Sequence, residues 1–148
     1  MNSVTRSRKG SGNVRVEAFL GIAATDNLKL AKRVEHGLPF SSFERVERLS
    51  GLSAESLRAV VGIAPRTLAR RKHEKRLSPE ESDRLVSVSR VLALAVELFD
   101  GDVERGMQWL RSPSRALKGR SPLSLAATTV GLREVEALIG RLEHGVIA

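Results

Sequence analysis

The chain has 148 residues, 41% of them hydrophobic, and 25 Lys or Arg against 17 Asp or Glu give a formal net charge of +8. That suffices for one compact domain or two small ones, each relying on a neighbour or partner for part of its core. The absence of Cys excludes disulfides, thiolate nucleophiles and Cys-based zinc sites and suits a reducing, cytoplasmic setting, and a chain with no Tyr, four Phe and the single Trp109 lacks the stacking platforms of a single-strand nucleic-acid binder.

Residues 1–13, rich in Ser, Gly, Asn and Arg, are expected to form a mobile basic arm, because they hold too few apolar side chains to offset ordering entropy. It reads equally as a contact to DNA phosphates or as a solvated tail. Residues 14–39 read as an N-terminal helical segment. Its stretch Val16 to Ala24, behind a basic start, only faintly imitates a secretory leader, since Glu17 interrupts it and no cleavage site follows. From about Asn27 to His36 the spacing of Leu28, Ala31 and Val34 predicts a helix, closed by Gly37 and Pro39.

Residues 40–99 read as a helix-turn-helix domain. Phe40, Phe43, Val46 and Leu49 mark one apolar stripe that Gly51 ends, and Ser53 then caps a helix whose inward face is Leu57, Val60 and Val61. Gly62 breaks it. Pro65 opens a third helix, to about His73, that turns only Leu68 and Ala69 inward. A short helix, a turn containing Gly and a short cationic helix form the helix-turn-helix pattern. Ser78-Pro79-Glu80-Glu81 is a capping box, and the long helix behind it carries the stripe Leu85, Val88, Leu92, Ala95 and Phe99 before Gly101.

Residues 100–148 read as a small C-terminal domain. Asp102 caps a helix marked by Val103, Met107 and Leu110 and stopped by Pro113. Ser121-Pro122 starts another, and Val135, Leu138, Ile139 and Leu142 make a last amphipathic helix closed by Gly145. No segment alternates with a period of two and no run is long enough to span a bilayer. The fold is predicted to be all-α, with no membrane partner.

The charge is uneven. Between Ala64 and Arg76 six Lys or Arg face one Glu, a local +5; Arg6, Arg8, Lys9 and Arg15 add +4 within residues 1–15, which leaves −1 elsewhere. Two concentrated patches are the footprint of a protein that neutralises phosphates. With Pro65 at the start of the third helix, Arg66 and Arg70 lie four apart on one face and Thr67 and Arg71 lie beside them. Arg can donate two hydrogen bonds to guanine O6 and N7, and Thr can offer its methyl or hydroxyl to a base edge. Lys72, Lys75 and Arg76 suit phosphates. The competing reading is a solvated cationic face or a surface for an acidic protein; the turn before the helix favours DNA.

Catalytic and metal readings find little support. Ser82, Asp83 and Arg84 sit just inside a capped helix, where acidic residues are favoured, and Asp83 is expected to pair with Arg71 or Arg76. Asp100-Gly101-Asp102 lacks the spacing of a calcium loop. His36, His73 and His144 fit no zinc pattern, and no nucleophile–base pair is nominated. No cofactor is expected, and the chain does not read as an enzyme. Val34-Glu35-His36-Gly37-Leu38 and Leu142-Glu143-His144-Gly145-Val146 look alike as two helix C-termini. Behind the second, Val146, Ile147 and Ala148 form an apolar tip that either folds back on its own core or inserts into a partner. Trp109 is open in the same way between core and interface anchor.

Several stretches resemble, in order and spacing, the antitoxins of the Xre/MbcA/ParS group, encoded beside RES-type toxins in bacterial type II toxin–antitoxin modules. They are Gly37-Leu38-Pro39; Pro65-Arg66-Thr67-Leu68-Ala69-Arg70-Arg71-Lys72; Leu77-Ser78-Pro79-Glu80-Glu81-Ser82-Asp83-Arg84; Trp109-Leu110, Pro113, Ala116-Leu117, Gly119, Ser121-Pro122-Leu123, Gly131 and Val135; and Arg141-Leu142-Glu143-His144-Gly145-Val146. Residues 1–36 lie outside this match. The resemblance implies an Xre-like helix-turn-helix that binds the module's own promoter, followed by a toxin-binding domain. It also implies a RES-fold partner that consumes NAD or transfers ADP-ribose from it, with the antitoxin's C-terminal end blocking the NAD pocket. Two positions depart from the pattern: Lys118 stands where a second Gly is usual and Ser114 where an Asn is, so the loop is expected to be stiffer or to meet its toxin differently.

The combined expectation is a homodimer on a palindromic operator with half-sites about 34 Å apart, or a multiple of that. Arg66, Thr67, Arg70 and Arg71 would read DNA, with Lys72 and Arg76 as phosphate clamps. Trp109, Lys118, Gly119, Arg120, Pro122, Leu123, Gly145, Val146, Ile147 and Ala148 would meet the cognate RES-type toxin. The alternatives are a stand-alone dimeric repressor whose C-terminal part only dimerises, and an adaptor that has lost DNA binding.

Overall fold

Short polar side chains set where the helices begin. In the computed structural model, which describes residues 11–23 and 26–145, Asp26, Ser53, Ser78, Asp102, Ser121 and Thr128 each accept a hydrogen bond from the N–H three residues on. Each bond satisfies a donor that the first turn of a helix leaves free. The described residues form α1 (Ser11–Leu20), α2 (Asn27–His36), α3 (Phe40–Ser50), α4 (Ala54–Val61), α5 (Pro65–Glu74), α6 (Pro79–Leu98), α7 (Val103–Arg111), α8 (Pro122–Leu125) and α9 (Thr129–Glu143), with a single 3₁₀ turn at Arg115–Leu117. The fold is all-α, as the spacing predicts.

The centre of the molecule is α6. It starts at the predicted capping box, with Ser78 Oγ accepting from the Glu81 N–H and Glu81 accepting from the Ser78 N–H. Of the expected stripe, Leu85, Val88, Leu92 and Ala95 are buried while Phe99 is the half-buried cap beyond the helix, and Val86, Val91, Ala93 and Val96 are buried as well. Helices α1, α2, α4, α7 and α9 all pack on it, which widens the buried stripe, while one face, Asp83, Ser87, Arg90, Leu94 and Glu97, stays exposed or half-buried.

The stretch that faintly imitates a leader, inside the segment read as N-terminal helical, packs on the core. Val16, Phe19 and Leu20 of α1, with Ile22 just beyond, are buried, and α1 lies against both α6 and α3. Arg45 on α3 donates from Nε to the Ala18 carbonyl at 2.7 Å, fixing α1's end. Residues 1–10 of the expected arm lie outside the described residues, and residues 11–13 belong to α1.

Several inward faces differ from the expectation. On α2 the buried residue is Leu30, with Val34 half-buried, while Leu28 is 81% exposed and Ala31 is exposed; a ten-residue helix resting on one neighbour buries a narrow stripe that periodicity alone places a residue or two off. Leu49, Val103 and Leu142 are also exposed, each at an end of its helix where the neighbouring element has fallen away. On α5 Ala69 is exposed and only Leu68, half-buried, reaches the core.

Candidate functional site

A helix with no buried residue must be held from its ends, and α5 is. Before it, Gly62 closes α4 at φ +81°, in the left-handed region that glycine enters without a Cβ clash. Arg58 Nη1 donates to the Ile63 carbonyl at 2.7 Å while its guanidinium pairs with Glu55. Ile63 itself is buried. Behind α5, Leu77 is buried, and a short antiparallel bridge joins this segment to the start of α3: the Leu77 N–H donates to Leu38 C=O at 2.9 Å and the Phe40 N–H to Lys75 C=O at 3.1 Å. The result is a cationic helix pinned at both termini and open along its length.

The six candidate DNA residues separate by what holds them. Arg66, Arg70 and Lys72 are exposed, and Arg66 and Lys72 have no ion-pair partner among the described residues. Arg70 reaches Glu74 only at 3.7 Å, on an open surface. Thr67 is half-buried. Arg71 is engaged internally: Nε donates to Glu81 Oε1 at 2.7 Å and Nη1 to Glu74 Oε2 at 3.1 Å, with the Arg71 side chain 20% exposed. Arg76 Nη1 donates to the carbonyls of His36 at 3.0 Å and Gly37 at 2.9 Å, closing the C-terminus of α2. Arg71 and Arg76 therefore brace the helix, and the base-reading and phosphate-gripping parts proposed for them would have to use the donors left over.

Glu81 replaces Asp83 as the partner of Arg71. Asp83 is exposed and lines a groove of about 350 Å³ between α6 and α9, whereas Glu81, at the first turn of α6, faces α5. Burial works to raise the Glu81 carboxyl, but the hydrogen bonds from Arg71 and from the Ser78 N–H outweigh it and hold the group below its ordinary range. The hydrogen bonds to Glu81 and then Glu74 hold the Arg71 guanidinium above its own. Ser82, the next residue, is a structural hydroxyl: it donates to Ser78 C=O at 2.7 Å and accepts from the buried Leu38 N–H at 2.8 Å.

The C-terminal candidates fall into two groups. Pro122 and Leu123 are buried, so they anchor α8 rather than present a surface, and Trp109 is half-buried against the core. Lys118, Gly119, Arg120 and Gly145 are exposed. Val146, Ile147 and Ala148 lie outside the described residues. The charge account in the sequence also hid a third cationic segment: Arg111, Arg115, Lys118 and Arg120 stand with no acid between residues 111 and 121. Averaging over the remainder cancelled them against acids elsewhere in the chain. A window of ten residues would have exposed them.

One side chain joins the two halves. Arg84 on α6 donates from Nε to Val61 C=O at 2.5 Å, at the end of α4, and from Nη2 to Ala127 C=O at 2.9 Å, just before α9. A Cβ on Gly62 would come within 2.9 Å of that Nη2, so the glycine in the turn makes room for the bridge as well as for its own φ.

Among the described residues no group of His, Asp or Glu is placed to hold a metal ion, and no helix is long and apolar enough to cross a membrane. Residues 29–90 match the Antitoxin Xre-like helix-turn-helix domain, and residues 94–145 match the Antitoxin Xre/MbcA/ParS C-terminal toxin-binding domain. The chain is 39% identical over 131 residues to Antitoxin Xre of Yersinia enterocolitica, covering 87% of this chain and 88% of that one. It is 31% identical over 130 residues to Antitoxin Xre of Photorhabdus laumondii, at 87% and 88% coverage, and 30% identical over 84 residues to Antitoxin Xre of Pseudomonas putida, at 56% and 52%. The chain thus belongs to the Xre family of antitoxins, with a helix-turn-helix DNA-binding domain followed by a C-terminal toxin-binding domain.

Proposed function

We propose that this antitoxin neutralises a RES-type, NAD-consuming toxin by covering its NAD pocket, and that it represses its own operon as a cytoplasmic homodimer on a palindromic operator. The observation that carries the DNA half is α5, a cationic helix with no buried residue, braced at both ends and presenting Arg66 and Arg70 one turn apart. That spacing suits two contacts along a major groove, with Thr67 beside them and Lys72 reaching a phosphate. Arg71 and Arg76 contribute the donors their internal bonds leave over.

Support for the toxin half is the match over residues 94–145 together with the family stretches around Gly119, Ser121-Pro122-Leu123 and residues 141–146. In this reading Trp109, Lys118, Gly119 and Arg120 meet the toxin, Pro122 and Leu123 hold their loop in place, and Gly145 with Val146, Ile147 and Ala148 fills the NAD pocket.

The test is co-expression with the product of the adjacent open reading frame, with and without residues 146–148, scoring co-purification, growth and cellular NAD. Growth and NAD preserved by the intact chain and lost on the deletion support pocket blocking. A neighbour that is harmless alone and forms no complex replaces this reading with a stand-alone dimeric repressor.

A further inference from the structure

The loop between α7 and α8 carries charge in an unusual way. Arg111, Arg115, Lys118 and Arg120 are all exposed, and none has an ion-pair partner among the described residues. Arg120 reaches only the Ser124 carbonyl, at 3.4 Å. Four like charges within ten residues repel one another, and no ion pair among the described residues offsets that repulsion.

The loop is nevertheless tightly tied. Gly119 N–H donates to Ser114 C=O at 2.8 Å, Ser114 N–H to Arg120 C=O at 3.0 Å and Arg120 N–H to Leu117 C=O at 3.1 Å, around a buried Leu117. The backbone that carries its cations is therefore set before any partner arrives, which lowers the backbone entropy lost on binding. At the tip Lys118 sits at φ +55°, one of three non-glycine residues with positive φ among those described. Glycine would hold that turn without a Cβ clash, and a lysine there is strained. This conformation closes the 3₁₀ turn, with the Lys118 N–H donating to Arg115 C=O at 3.0 Å, and it sets an exposed ammonium at the tip of the loop.

We infer that this loop is the electrostatic docking element of the C-terminal half, and that it fits a carboxylate-rich patch on the surface of the toxin. The inference rests on the toxin-binding reading above and adds to it the chemistry of the partner's surface. DNA phosphates would attract the same charges. The protein partner is favoured because the loop lies inside the segment that matches the toxin-binding domain, two residues beyond the half-buried Trp109, an apolar anchor of the kind that protein interfaces use and phosphate backbones do not.

The experiment measures binding of the full chain to the product of the adjacent open reading frame, and separately to a duplex of the promoter region, at about 50 and about 300 mM salt. Lys118→Gly is expected to raise Tm, by relieving the strained φ, while weakening toxin binding several-fold. The double variant Arg115→Glu, Arg120→Glu is expected to weaken it more than tenfold, mainly in the association rate, and to flatten the salt dependence. Lys118→Arg should restore affinity without the gain in Tm. Variants that bind the toxin with unchanged affinity and salt slope overturn the inference and leave the antitoxin reading standing. A loss confined to the promoter duplex overturns it in favour of DNA. Failure of the unmodified chain to bind the toxin at all removes the underlying reading, and this one with it.

Discussion

Arg66 and Arg71 are five residues apart on one helix, have the same chemistry and are held in opposite ways. Arg66 is exposed, whereas Arg71 is drawn onto Glu81 and Glu74. Arg66→Ala should leave Tm unchanged and cost operator binding about 1–3 kcal/mol, relaxing the preference at one base pair, as a fluorescence-anisotropy titration against single-base operator variants would show. Arg71→Ala should instead lower folding stability by about 1–2 kcal/mol, because a charged hydrogen bond is lost and Glu81 is left without its partner. The reverse pattern would exchange their roles. The pair also sets a pH dependence. A carboxylate whose folded pKa lies below its ordinary 4.5 contributes stability above that value and loses it as pH falls through the folded pKa. The stability gap between the natural chain and Glu81→Gln, measured by urea unfolding, should therefore be full at pH 7 and shrink steadily below about pH 4.5. A gap that stays constant down to pH 3 would exclude the ion pair as its cause.

At the scale of elements, glycine inside a helix is the informative choice. Gly131 lies in the first turn of α9, and a Cβ there would overlap the Leu125 carbonyl oxygen and press on its carbonyl carbon at 2.9 Å. Helices α8 and α9 thus meet at a distance only glycine permits. Gly131→Ala forces backbone apart rather than a flexible side-chain tip, so it should cost on the order of 1–3 kcal/mol despite alanine's better helix propensity. A thermal melt showing unchanged or higher Tm would mean the two helices can separate freely. The cap of α6 supplies a cleaner comparison: Ser78→Ala removes one hydrogen bond without steric change and should cost about 1 kcal/mol.

Across the whole molecule, the two family matches meet inside one helix. The helix-turn-helix match ends at residue 90 and the toxin-binding match begins at 94, both within α6. Val91, Leu92, Ala95 and Val96 are buried among elements from both sides, and Arg84 ties the end of α4 to the segment before α9. The chain should therefore unfold in one step: Trp109 fluorescence, reporting α7, and far-ultraviolet circular dichroism should give coincident denaturation curves. Leu92→Ala, at a position with no exposed surface, should cost about 2–5 kcal/mol and weaken operator and toxin binding together. Separate transitions would show that the halves are independent after all.

What the sequence determined by itself is what chemistry over three or four residues can enforce. The caps at Ser53, Ser78, Asp102 and Ser121, the breaks at Gly62 and Gly101, the cationic α5 and the order of family stretches were all readable before any coordinates. The tertiary structure decided what depends on partners far away in the chain. It alone shows that α1 belongs to the core, that α6 is buried on all but the face of Asp83, Ser87 and Arg90, that Glu81 rather than Asp83 takes Arg71, and that Arg76 closes α2 forty residues back. A side chain's reach along a helix is set by backbone geometry, whereas its choice among distant carboxylates and carbonyls is settled only when packing brings one of them within 3 Å.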